Sequence, residues 1–440
     1  SSLKKGRMSV MSLFMGKMRQ HIEGHKEMSL TSEVLELKNS SQVFIPLYAG
    51  HSLNFDVLVN EGDHVAIGTK IAQCNDRMIV PLYASVSGTV KGVQKMMHSS
   101  LKQIDHLVIE NDGKDEMIQS FDPIDYTLAS KEALVDFMKN AGIIGLGGAG
   151  FPTYIKYKGN APIETILINA VECEPYITSD YKMIKQYYDE MMVGIKAMMK
   201  MANANTCKIA IKKTKKDLIE FVSNALSNEK NIEIALVPDA YPMGWEKAMV
   251  RFITKKDYDK LPSEVGIIVN NASTAIAFGH ALTSGMPICE RMITVSGTGV
   301  KNPGNAIVRV GTPVSEVIAA FGGYSSEDVK LIAGGPMMGK TIVNDKFVID
   351  RSSNAITVLK TVVYDSMSCL RCGSCSDHCP VGLQPVRIAQ ALKANDKDMM
   401  KRLCADECME CGLCTYVCPS YLDVTENVRK VKRQLALMKK

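Results

Sequence analysis

The chain has 440 residues, of which 46% are hydrophobic and 22% charged, a balance typical of a soluble protein with several domains. Its net charge of +5 is too small to indicate nucleic-acid binding, and its eight histidines form no HExxH or HxH pattern of a zinc hydrolase. No uninterrupted apolar stretch reaches the roughly 18 residues that a membrane-spanning helix needs, so the sequence predicts no transmembrane segment.

Residues 1–41 are predicted to form an N-terminal tail or a short amphipathic segment. The basic start of this segment imitates a signal peptide, but serines interrupt the apolar stretch Met8–Met15 and no small-residue cleavage site follows. We therefore expect a cytoplasmic protein, in which clustered cysteines are metal ligands rather than disulfides. If the segment is helical, its apolar side chains share one stripe: Met8, Met11, Phe14, Met15 and Met18.

Residues 42–115 are predicted to form a barrel-sandwich domain. The stretch "VLVNEGDHVAIGTKIAQCNDRMIVPLYASVSGTV" has a G-D-x-V-x-x-G turn and a later S-x-S-G-T-V, which resemble biotinyl and lipoyl domains. The carrier lysine expected in the hairpin between them is absent, and Asn75-Asp76-Arg77-Met78 occupies its place. The predicted barrel is therefore structural.

A glycine-rich stretch, "GIIGLGGAGFPTYIK" at 142–156, has Gly145, Gly147 and Gly150 in G-x-G-x-x-G spacing. An ordinary Rossmann turn follows a strand, whereas the preceding "ALVDFMKNAG" is predicted to be helical and Pro152 follows at once. The stretch is therefore not an ordinary Rossmann turn. Its glycines still allow a phosphate or a flavin ring to approach the backbone closely.

Two predicted strands, Thr165–Ile168 and the one in "VGIIVNNAST", end in polar residues. Sheets of α/β proteins bind ligands beyond the carboxyl ends of their strands, and paired amides suit a ligand rich in carbonyl and hydroxyl groups. The polar and flexible positions follow in this order: Asn169, Glu172 and Glu174 after the first strand, Gly244 and Glu246 in "YPMGWEKAM", then Asn270, Asn271, Ser273 and Thr274.

Residues 289–357 contain short β-rich runs, turn residues and one amphipathic helix, in "RMITVSGTGVKNPGNAIVRVGTPVSEVIAAFGG" and "LIAGGPMMGKTI". This pattern predicts a β-grasp domain of the soluble-ligand-binding type with a structural role. The GGPMMG stretch is expected to form a turn near the metal centres or at an interface.

Eight of the 13 cysteines form two runs of C-x2-C-x2-C-x3-C-P within residues 360–440. Three closely spaced thiolates can bind three irons of a cubane, and in two-cluster ferredoxins the fourth ligand comes from the other run. Zinc is disfavoured, because its sites usually use two separated CxxC pairs. One predicted [4Fe–4S] cluster takes Cys369, Cys372, Cys375 and Cys418, and the other takes Cys408, Cys411, Cys414 and Cys379. The remaining cysteines are predicted to be buried thiols: Cys74, Cys173, Cys207, Cys289 and Cys404.

Two helices are predicted around the second run. Pro385 is expected to open the first helix, because proline is favoured at the first helical position. The apolar residues at near-helical spacing are Val386, Ala389, Leu392 and Met400 in the first helix, and Val428, Val431, Leu435 and Met438 in the second.

Four motifs in one order, GLGGAGFPTYIK, NAVECEP, GWE and VNNAST, resemble the FMN- and NADH-binding subunit of respiratory complex I. With the two cysteine runs they resemble still more RnfC, a subunit of the Rnf complex, the ion-translocating ferredoxin:NAD oxidoreductase of bacteria. The resemblance covers roughly residues 42–420. It implies a multidomain α/β and α+β protein: a barrel-sandwich domain at 42–115, a Rossmann-like FMN/NAD(H) domain at 125–288, a β-grasp domain at 289–357 and a helical two-cluster ferredoxin domain at 360–440.

The resemblance also implies site residues. Trp245 departs from the related proteins, which have an acid or a glycine before the glutamate, and it can stack on a ring or crowd it. No general acid or base is required. The nicotinamide is expected to approach along Phe151, Glu172, Glu174 and Glu246. The implied FMN site comprises Gly145, Gly147, Gly148, Gly150, Lys156, Asn169, Asn270, Asn271 and Thr274.

NAD(H) exchanges two electrons as hydride and iron–sulfur clusters exchange one, so a flavin must stand between them. The resemblance implies a peripheral subunit on the cytoplasmic face of the bacterial membrane. It would be held by Rnf membrane subunits and a ferredoxin-accepting subunit through Met8–His25, the barrel or the cluster module. The alternatives are a soluble relative serving a proline reductase or cobalamin reductase, a relay with a vestigial flavin domain, and a scaffold, which the organised cysteines oppose.

Overall fold

The computed structural model describes residues 20–50, 52–148 and 150–438, and the predicted Met8–Met18 stripe lies outside them. Within this part of the chain, four sheets are followed by a helical C-terminal module. None of its helices is both long and apolar enough to cross a membrane.

Residues 20–41 are part of the folded structure, so the prediction of a tail is wrong for this part of the segment. Helix α1 (Glu27–Leu30) buries Ser29, and strand β1 (Val34–Leu37) pairs in parallel with a strand of the third domain. Sequence pattern did not show this, because β1 is an edge strand whose residues are half-buried or exposed.

The barrel domain consists of two sheets that face a shared core containing Val43, Ile71, Leu82 and Leu107. The hairpin that lacks a carrier lysine joins β5 to β6, as predicted. One sheet has the order β2-β8-β7-β4 and the other β3-β5-β6. The strands are β2 (Gln42–Pro46), β3 (Phe55–Val57), β4 (His64–Val65), β5 (Lys70–Cys74), β6 (Val80–Tyr83), β7 (Gly88–Met97) and β8 (Gln103–Asn111).

The second domain is a parallel four-stranded sheet with helices on its faces, in the strand order β11-β10-β9-β12. Its strands are β9 (Thr165–Asn169), β10 (Thr206–Lys212), β11 (Ile232–Val237) and β12 (Ile267–Asn271). Its helices are α2 (Lys131–Asn140), α3 (Ser179–Gln186), α4 (Tyr188–Ala202), α5 (Lys216–Ala225), α6 (Glu246–Thr254) and α7 (Ala272–Ser284), with 3₁₀ turns at Thr153–Tyr157 and Pro262–Val265.

The packing of α4 on α7 fixes the position of β12 and its following helix. Gly194 and Gly279 face each other across this contact, and a Cβ atom at either position would overlap a carbonyl group of the other helix. Buried apolar residues fill β9 on both faces, as a parallel sheet covered by helices requires. The carboxyl ends of β9 and β12 lie side by side because the two strands pair in parallel and in register.

The third domain is a mixed six-stranded sheet in the order β1-β14-β13-β17-β15-β16, with α8 packed on it through Val317 and Ile318. β1 thus extends a sheet whose other strands come much later in the chain. The elements are β13 (Glu290–Ser296), β14 (Gly304–Arg309), α8 (Val314–Ala320), β15 (Val329–Ala333), β16 (Lys340–Ile342) and β17 (Ala355–Lys360).

The C-terminal module is helical, and Pro385 opens one of its helices as predicted. The assignment of Met400 to that helix is wrong, because Met400 is buried on a separate helix after a break at Asn395. Within the helix, Leu392 packs half-buried against the core, and the fully buried side chains are those of Pro385, Ile388 and Ala391. The stripe of Val428, Val431 and Leu435 is confirmed, whereas Met438 is exposed. The helices are α9 (Ser374–Asp377), α10 (Pro385–Lys393), α11 (Lys397–Arg402), α12 (Leu413–Tyr416) and α13 (Val424–Met438), with a 3₁₀ turn at Ala405–Glu407.

Candidate functional site

Two amide side chains meet at the carboxyl edge of the parallel sheet. Asn169 ends β9 and is the register partner of Asn271, which ends β12. The Asn169 side chain donates to the Gly244 carbonyl at 2.9 Å, and the Asn271 side chain donates to the Asp180 carboxylate at 2.7 Å. The strand ends predicted from the sequence therefore form one polar edge.

The glycine-rich loop lies against this edge. The Leu146 amide donates to the Thr274 hydroxyl at 2.9 Å, which ties the loop to the first turn of α7. A Cβ atom at Gly147 would lie 2.9 Å from the side-chain nitrogen of Asn271, so a larger residue there would have to displace the Asn271 side chain. Gly148 has open space beside it, and the Gly145 amide donates to the Phe151 carbonyl at 2.8 Å. Gly150 has a φ of 64°, which favours glycine.

Two further predicted residues lie beneath the edge. The Lys156 ammonium donates to the Val269 carbonyl of β12 at 2.6 Å, and burial lowers its pKa while nearby Glu246 opposes this change. The Asn270 side chain donates to the Tyr157 hydroxyl at 2.7 Å. Its buried Oδ1 has no hydrogen-bond partner among the described residues, so it is available to a ligand's N–H group.

This donor set fits FMN. Loop amides and the N-terminus of α7, which the Asn271 side-chain oxygen caps by accepting from the Ser273 amide, suit a phosphate. The amides of Asn169 and Asn270, with the unpaired Oδ1, suit the carbonyl and N–H groups of a flavin ring.

Glu172 is buried on the loop that follows β9. The Asp180 amide donates to its Oε1 at 2.8 Å, while Oε2 lies 3.7 Å from the Lys26 ammonium. Burial raises the pKa of Glu172 to about 7, because the apolar surroundings disfavour its charged form. Burial thus weakens the acidity of Glu172 beside the proposed ligand edge.

Lys26 is a functional candidate that the sequence interpretation missed. Its buried ammonium donates to the carbonyls of Glu172 at 3.0 Å, Glu174 at 2.8 Å and Ile177. Burial lowers its pKa to about 8. The N-terminal segment thus holds the loop after β9 in place. A lone lysine in "EGHKEM" gives no sequence signal for this contact, which joins residues about 150 positions apart.

Glu174 contacts the third domain. Its carboxylate accepts from the amides of Met337 at 3.1 Å and Met338 at 2.8 Å, so the expected GGPMMG interface is confirmed. Burial raises the pKa of Glu174 to about 7. Of the other residues expected along the nicotinamide path, Glu246 begins α6 and accepts from the Tyr258 hydroxyl at 3.2 Å, and Phe151 is exposed. Their roles toward a nucleotide remain predictions.

The structure gathers the eight cysteines into two groups. Burial raises the pKa values of the Cys411 and Cys414 thiols to about 12, so thiolates there require a compensating cation, which an iron–sulfur cluster provides. One cavity is lined by Cys369, Cys372, Cys375 and Cys418, and a second by Cys379, Cys408, Cys411 and Cys414. Both groups match the predicted crossed sets. Of the other cysteines, Cys74, Cys207 and Cys289 are buried, and Cys173 and Cys404 are half-buried.

The second-run cysteines adjoin the flavin domain. The buried Tyr241 hydroxyl donates to the Cys411 carbonyl at 2.8 Å, and a Cβ atom at Gly412 would lie 2.6 Å from the Met337 carbonyl. The sequence interpretation also missed Tyr241, because its hydrogen-bond partner lies 170 residues later in the chain.

Family models match four consecutive parts of the chain. They are the RnfC barrel sandwich hybrid domain at residues 18–114, the Nuo51 FMN-binding domain at 138–280, the SLBB domain at 292–341 and the 4Fe-4S dicluster domain at 361–419. The C subunit of the Na(+)-translocating ferredoxin:NAD(+) oxidoreductase complex of Acetobacterium woodii is 34% identical over 81% of this chain and 83% of that protein. The chain belongs to the RnfC family.

Further members of the RnfC family are about equally similar. The C subunit of the proton-translocating ferredoxin:NAD(+) oxidoreductase complex of Clostridium ljungdahlii is 33% identical over 78% of this chain and 77% of that protein. The C subunit of the ion-translocating oxidoreductase complex of Rhodobacter capsulatus is 33% identical over 86% of this chain and 74% of that protein. Among solved structures, an air-oxidized NAD+-reducing [NiFe]-hydrogenase matches at 19% identity with a TM-score of 0.48, over 62% of this chain and 54% of that one.

Membership of the RnfC family confirms what the sequence motifs indicated. The matched FMN-binding and dicluster domains confirm the predicted cofactors, FMN and two [4Fe–4S] clusters. The matches also confirm the order of the domains along the chain: a barrel sandwich, an FMN domain, an SLBB domain and a ferredoxin-type domain. The individual FMN, nicotinamide and cluster residues remain predictions, supported by the geometry above.

Proposed function

We propose that this chain is the subunit that exchanges electrons with NADH or NAD+ in a membrane-bound, ion-translocating ferredoxin:NAD oxidoreductase. It would be a peripheral subunit on the cytoplasmic face of the bacterial membrane, held there by other Rnf subunits. Family membership supports this role, since relatives of the same family have that complex in their names.

The observation that carries the proposal is a short connection between the two kinds of site. Gly244 accepts the hydrogen bond of Asn169 at the sheet edge, and Tyr241 donates to Cys411 in the cluster module. The four residues from 241 to 244 span at most about 14 Å. A flavin site and an iron–sulfur site are thereby joined by one short stretch of chain.

FMN, when bound, takes two electrons from a hydride together and releases them singly, which connects nicotinamide chemistry to iron–sulfur chemistry. The chain's own residues supply binding and orientation. The loop amides and the N-terminus of α7 would bind the flavin phosphate, and Asn169 and Asn270 would orient its ring. Phe151, exposed beside the glycine-rich loop, offers an apolar surface for the nicotinamide.

The buried acids tune the charge near the nucleotide. Because burial raises the pKa values of Glu172 and Glu174, these carboxyl groups are neutralised more readily than exposed acids. Neutralisation reduces their repulsion of the nucleotide's phosphates, while the buried Lys26 ammonium adds a positive charge behind the loop.

A flavin titration tests this function. Protein reconstituted with FMN should be bleached by NADH in the absence of air, and Glu246→Ala should slow the bleaching at unchanged cluster content. Glu220→Ala, which removes an exposed acid from α5, is the matched control and should behave as wild type. Failure of wild-type protein to bind FMN at micromolar flavin would favour the relay without a working flavin domain.

The soluble alternative, a reductase-linked flavoprotein, would bind FMN equally well. It is distinguished by its association, since a membrane subunit sediments with membranes and is released by a chaotropic wash without detergent. Recovery of all the protein in the soluble fraction, together with a reductase, would support the alternative.

A further inference from the structure

Asp180, in the first turn of α3, hydrogen-bonds to three parts of the flavin domain. Its Oδ2 accepts from the Asn271 side-chain nitrogen at 2.7 Å, and its Oδ1 accepts from the Ser273 hydroxyl at 2.6 Å. Its own amide donates to Oε1 of Glu172 at 2.8 Å. Asp180 therefore connects the end of β12, the first turn of α7 and the loop after β9. It belongs to none of the four motifs that carry the family resemblance.

These contacts fix the orientation of the Asn271 amide group. An amide oxygen can only accept hydrogen bonds and an amide nitrogen can only donate them. The Asn271 oxygen accepts from the Ser273 amide at 2.8 Å, while the nitrogen donates to Asp180. The opposite orientation would place the oxygen against the carboxylate and the nitrogen against an N–H group. It would lose two hydrogen bonds and create two repulsive contacts, so Asp180 holds the nitrogen on its own side.

The Asn271 nitrogen also lies over the glycine-rich loop. A Cβ atom at Gly147 would lie 2.9 Å from this nitrogen, and Gly148 has open space beside it. One of the two N–H groups on the nitrogen donates to Asp180, and the second has no acceptor among the residues that the structure describes. A ligand group that binds this second N–H must be an acceptor, such as a phosphate oxygen.

The other side-chain donors in this turn of α7 are already used. The Ser273 hydroxyl gives its one proton to Asp180. The Thr274 hydroxyl accepts from the Leu146 amide at 2.9 Å and donates to the Ile144 carbonyl at 3.5 Å. Of the side chains at positions 271, 273 and 274, that of Asn271 therefore keeps a donor for a ligand.

The charge of Asp180 works against an anion at this place. A carboxylate repels a phosphate by charge alone, and two neighbours offset that repulsion. The N-terminus of α3 favours a negative charge in its first turn. The buried Arg291 is the second neighbour: burial lowers its pKa to about 10, and the charges of Asp180 and Asp350 oppose this change. Any benefit of Asp180 to phosphate binding must therefore come from its hydrogen bonds.

We propose that Asp180 is a positioning residue of the flavin site, which holds the Asn271 amide so that an N–H group, and not the oxygen, faces the phosphate of FMN. This inference rests on the proposed function, because it takes the flavin to bind at the carboxyl edge of the sheet. It adds the residue that sets the phosphate end of the site. Loss of Asp180 should weaken recognition of the phosphate and leave recognition of the flavin ring unchanged.

Flavin titrations test this role. The full chain with both clusters, freed of flavin, is titrated with FMN and separately with riboflavin, which has the same ring and side chain but no phosphate. Quenching of flavin fluorescence gives both dissociation constants. Asp180→Ala should weaken FMN binding about tenfold and riboflavin binding by no more than about twofold. Asp189→Ala, which removes an exposed aspartate from the first turn of α4, is the matched control and should bind both as wild type does.

Asp180→Asn separates the hydrogen bonds from the charge. The asparagine oxygen can still accept from Asn271, while the Ser273 hydroxyl turns to accept from the new amide. FMN binding should therefore return to within about threefold of wild type. If Asp180→Asn binds FMN as weakly as Asp180→Ala, or if both variants bind it more tightly than wild type, the charge of Asp180 decides the affinity and the proposal is overturned.

A double-mutant cycle tests whether Asp180 acts through Asn271. Asn271→Ser keeps a capping residue on α7 but removes the amide N–H. In this background Asp180→Ala should weaken FMN binding no further, and fully additive losses would overturn the proposal. Iron content and the urea transition check that each variant is folded. If Asp180→Ala is not folded, Asp180→Ser replaces it, because the serine hydroxyl ends one bond short of the carboxylate oxygens.

The outcomes separate this inference from the proposed function. Wild-type protein that binds neither flavin contradicts the proposed function itself. Wild-type protein that binds FMN and riboflavin equally well has no phosphate recognition, which overturns this inference alone. Equal losses of FMN and riboflavin binding in Asp180→Ala would also overturn it, because they would make Asp180 a residue of general structural importance.

Discussion

The two cysteine runs have identical spacing but opposite surroundings. Cys411 is buried under Tyr241, whereas Cys369 and Cys372 face solvent beside an apolar patch. Spacing therefore determines which metal centre each run can hold, and the neighbouring domains determine where that centre lies on an electron path. The difference arises from contacts between distant parts of the chain.

The strongest test of this comparison removes one ligand from each run. We expect Cys418→Ser to lose the first-run cluster, about four of the roughly eight irons, although Cys418 belongs to the second run in sequence. Cys379→Ser should lose the second-run cluster and also loosen the module from the flavin domain, because that group lies at the interface. Iron analysis and EPR measure the loss, and limited proteolysis measures the loosening.

Cys404→Ser is the matched control for both variants. Cys404 lies outside both cavities and its thiol donates to the Arg402 carbonyl at 3.3 Å. The Cys404→Ser variant should retain all the iron. If Cys418→Ser instead spared the first-run cluster, the crossed assignment would be wrong.

Residues marked by local sequence patterns could be predicted, whereas residues that act through distant contacts could not. The strand ends at Asn169 and Asn271 and both cysteine groups follow from local pattern, because β-periodicity, glycine spacing and ligand spacing are short-range signals. Lys26 and Tyr241 could not be found in this way. Each acts through a partner more than 140 residues away, and neither has a distinctive neighbour in sequence.

The helix after the first run shows a smaller failure of the same reasoning. Apolar residues occur on more than one face of α10, so periodicity alone favoured Val386 and Ala389, whereas the buried side chains are those of Ile388 and Ala391. The packing of α10 on α13 decides which face of α10 is buried, and that contact is not visible in the sequence of α10.

The loop after β9 depends on the buried charge of Lys26. We therefore expect Lys26→Met to lower the free energy of unfolding by on the order of 3–5 kcal/mol. The change leaves three carbonyls without their donor and Glu172 without its partner at 3.7 Å. Urea unfolding followed by the fluorescence of Trp245, the chain's single tryptophan, measures the change.

Lys91→Met is the control for this variant. Lys91 forms an exposed ion pair with Glu110 on the barrel, and its removal should cost no more than about 1 kcal/mol. Equal stability of Lys26→Met and Lys91→Met would show that the N-terminal segment does not hold the loop after β9.

The smallest expected effect is a pH dependence carried by Glu174, which joins the flavin-domain loop to the GGPMMG turn. Its pKa is raised from 4.5 to about 7 by burial, so between these values the native protein keeps a proton that the unfolded chain has lost. Stability must therefore fall as pH rises from about 4.5 to 7, by on the order of 3 kcal/mol from this group. Glu172 contributes in the same direction.

Glu174→Gln tests this sign, because a glutamine does not titrate in that window. The variant should lose one of the two amide hydrogen bonds from Met337 and Met338, which costs about 1 kcal/mol at low pH, but its stability should fall less steeply toward pH 7. Urea midpoints at several pH values between 4.5 and 8 measure the two slopes. An unchanged slope in Glu174→Gln would mean that Glu174 stays ionised across the window. The hydrogen bonds to the Met337 and Met338 amides would then be accepted by a carboxylate rather than by a carboxyl group that is neutralised on burial.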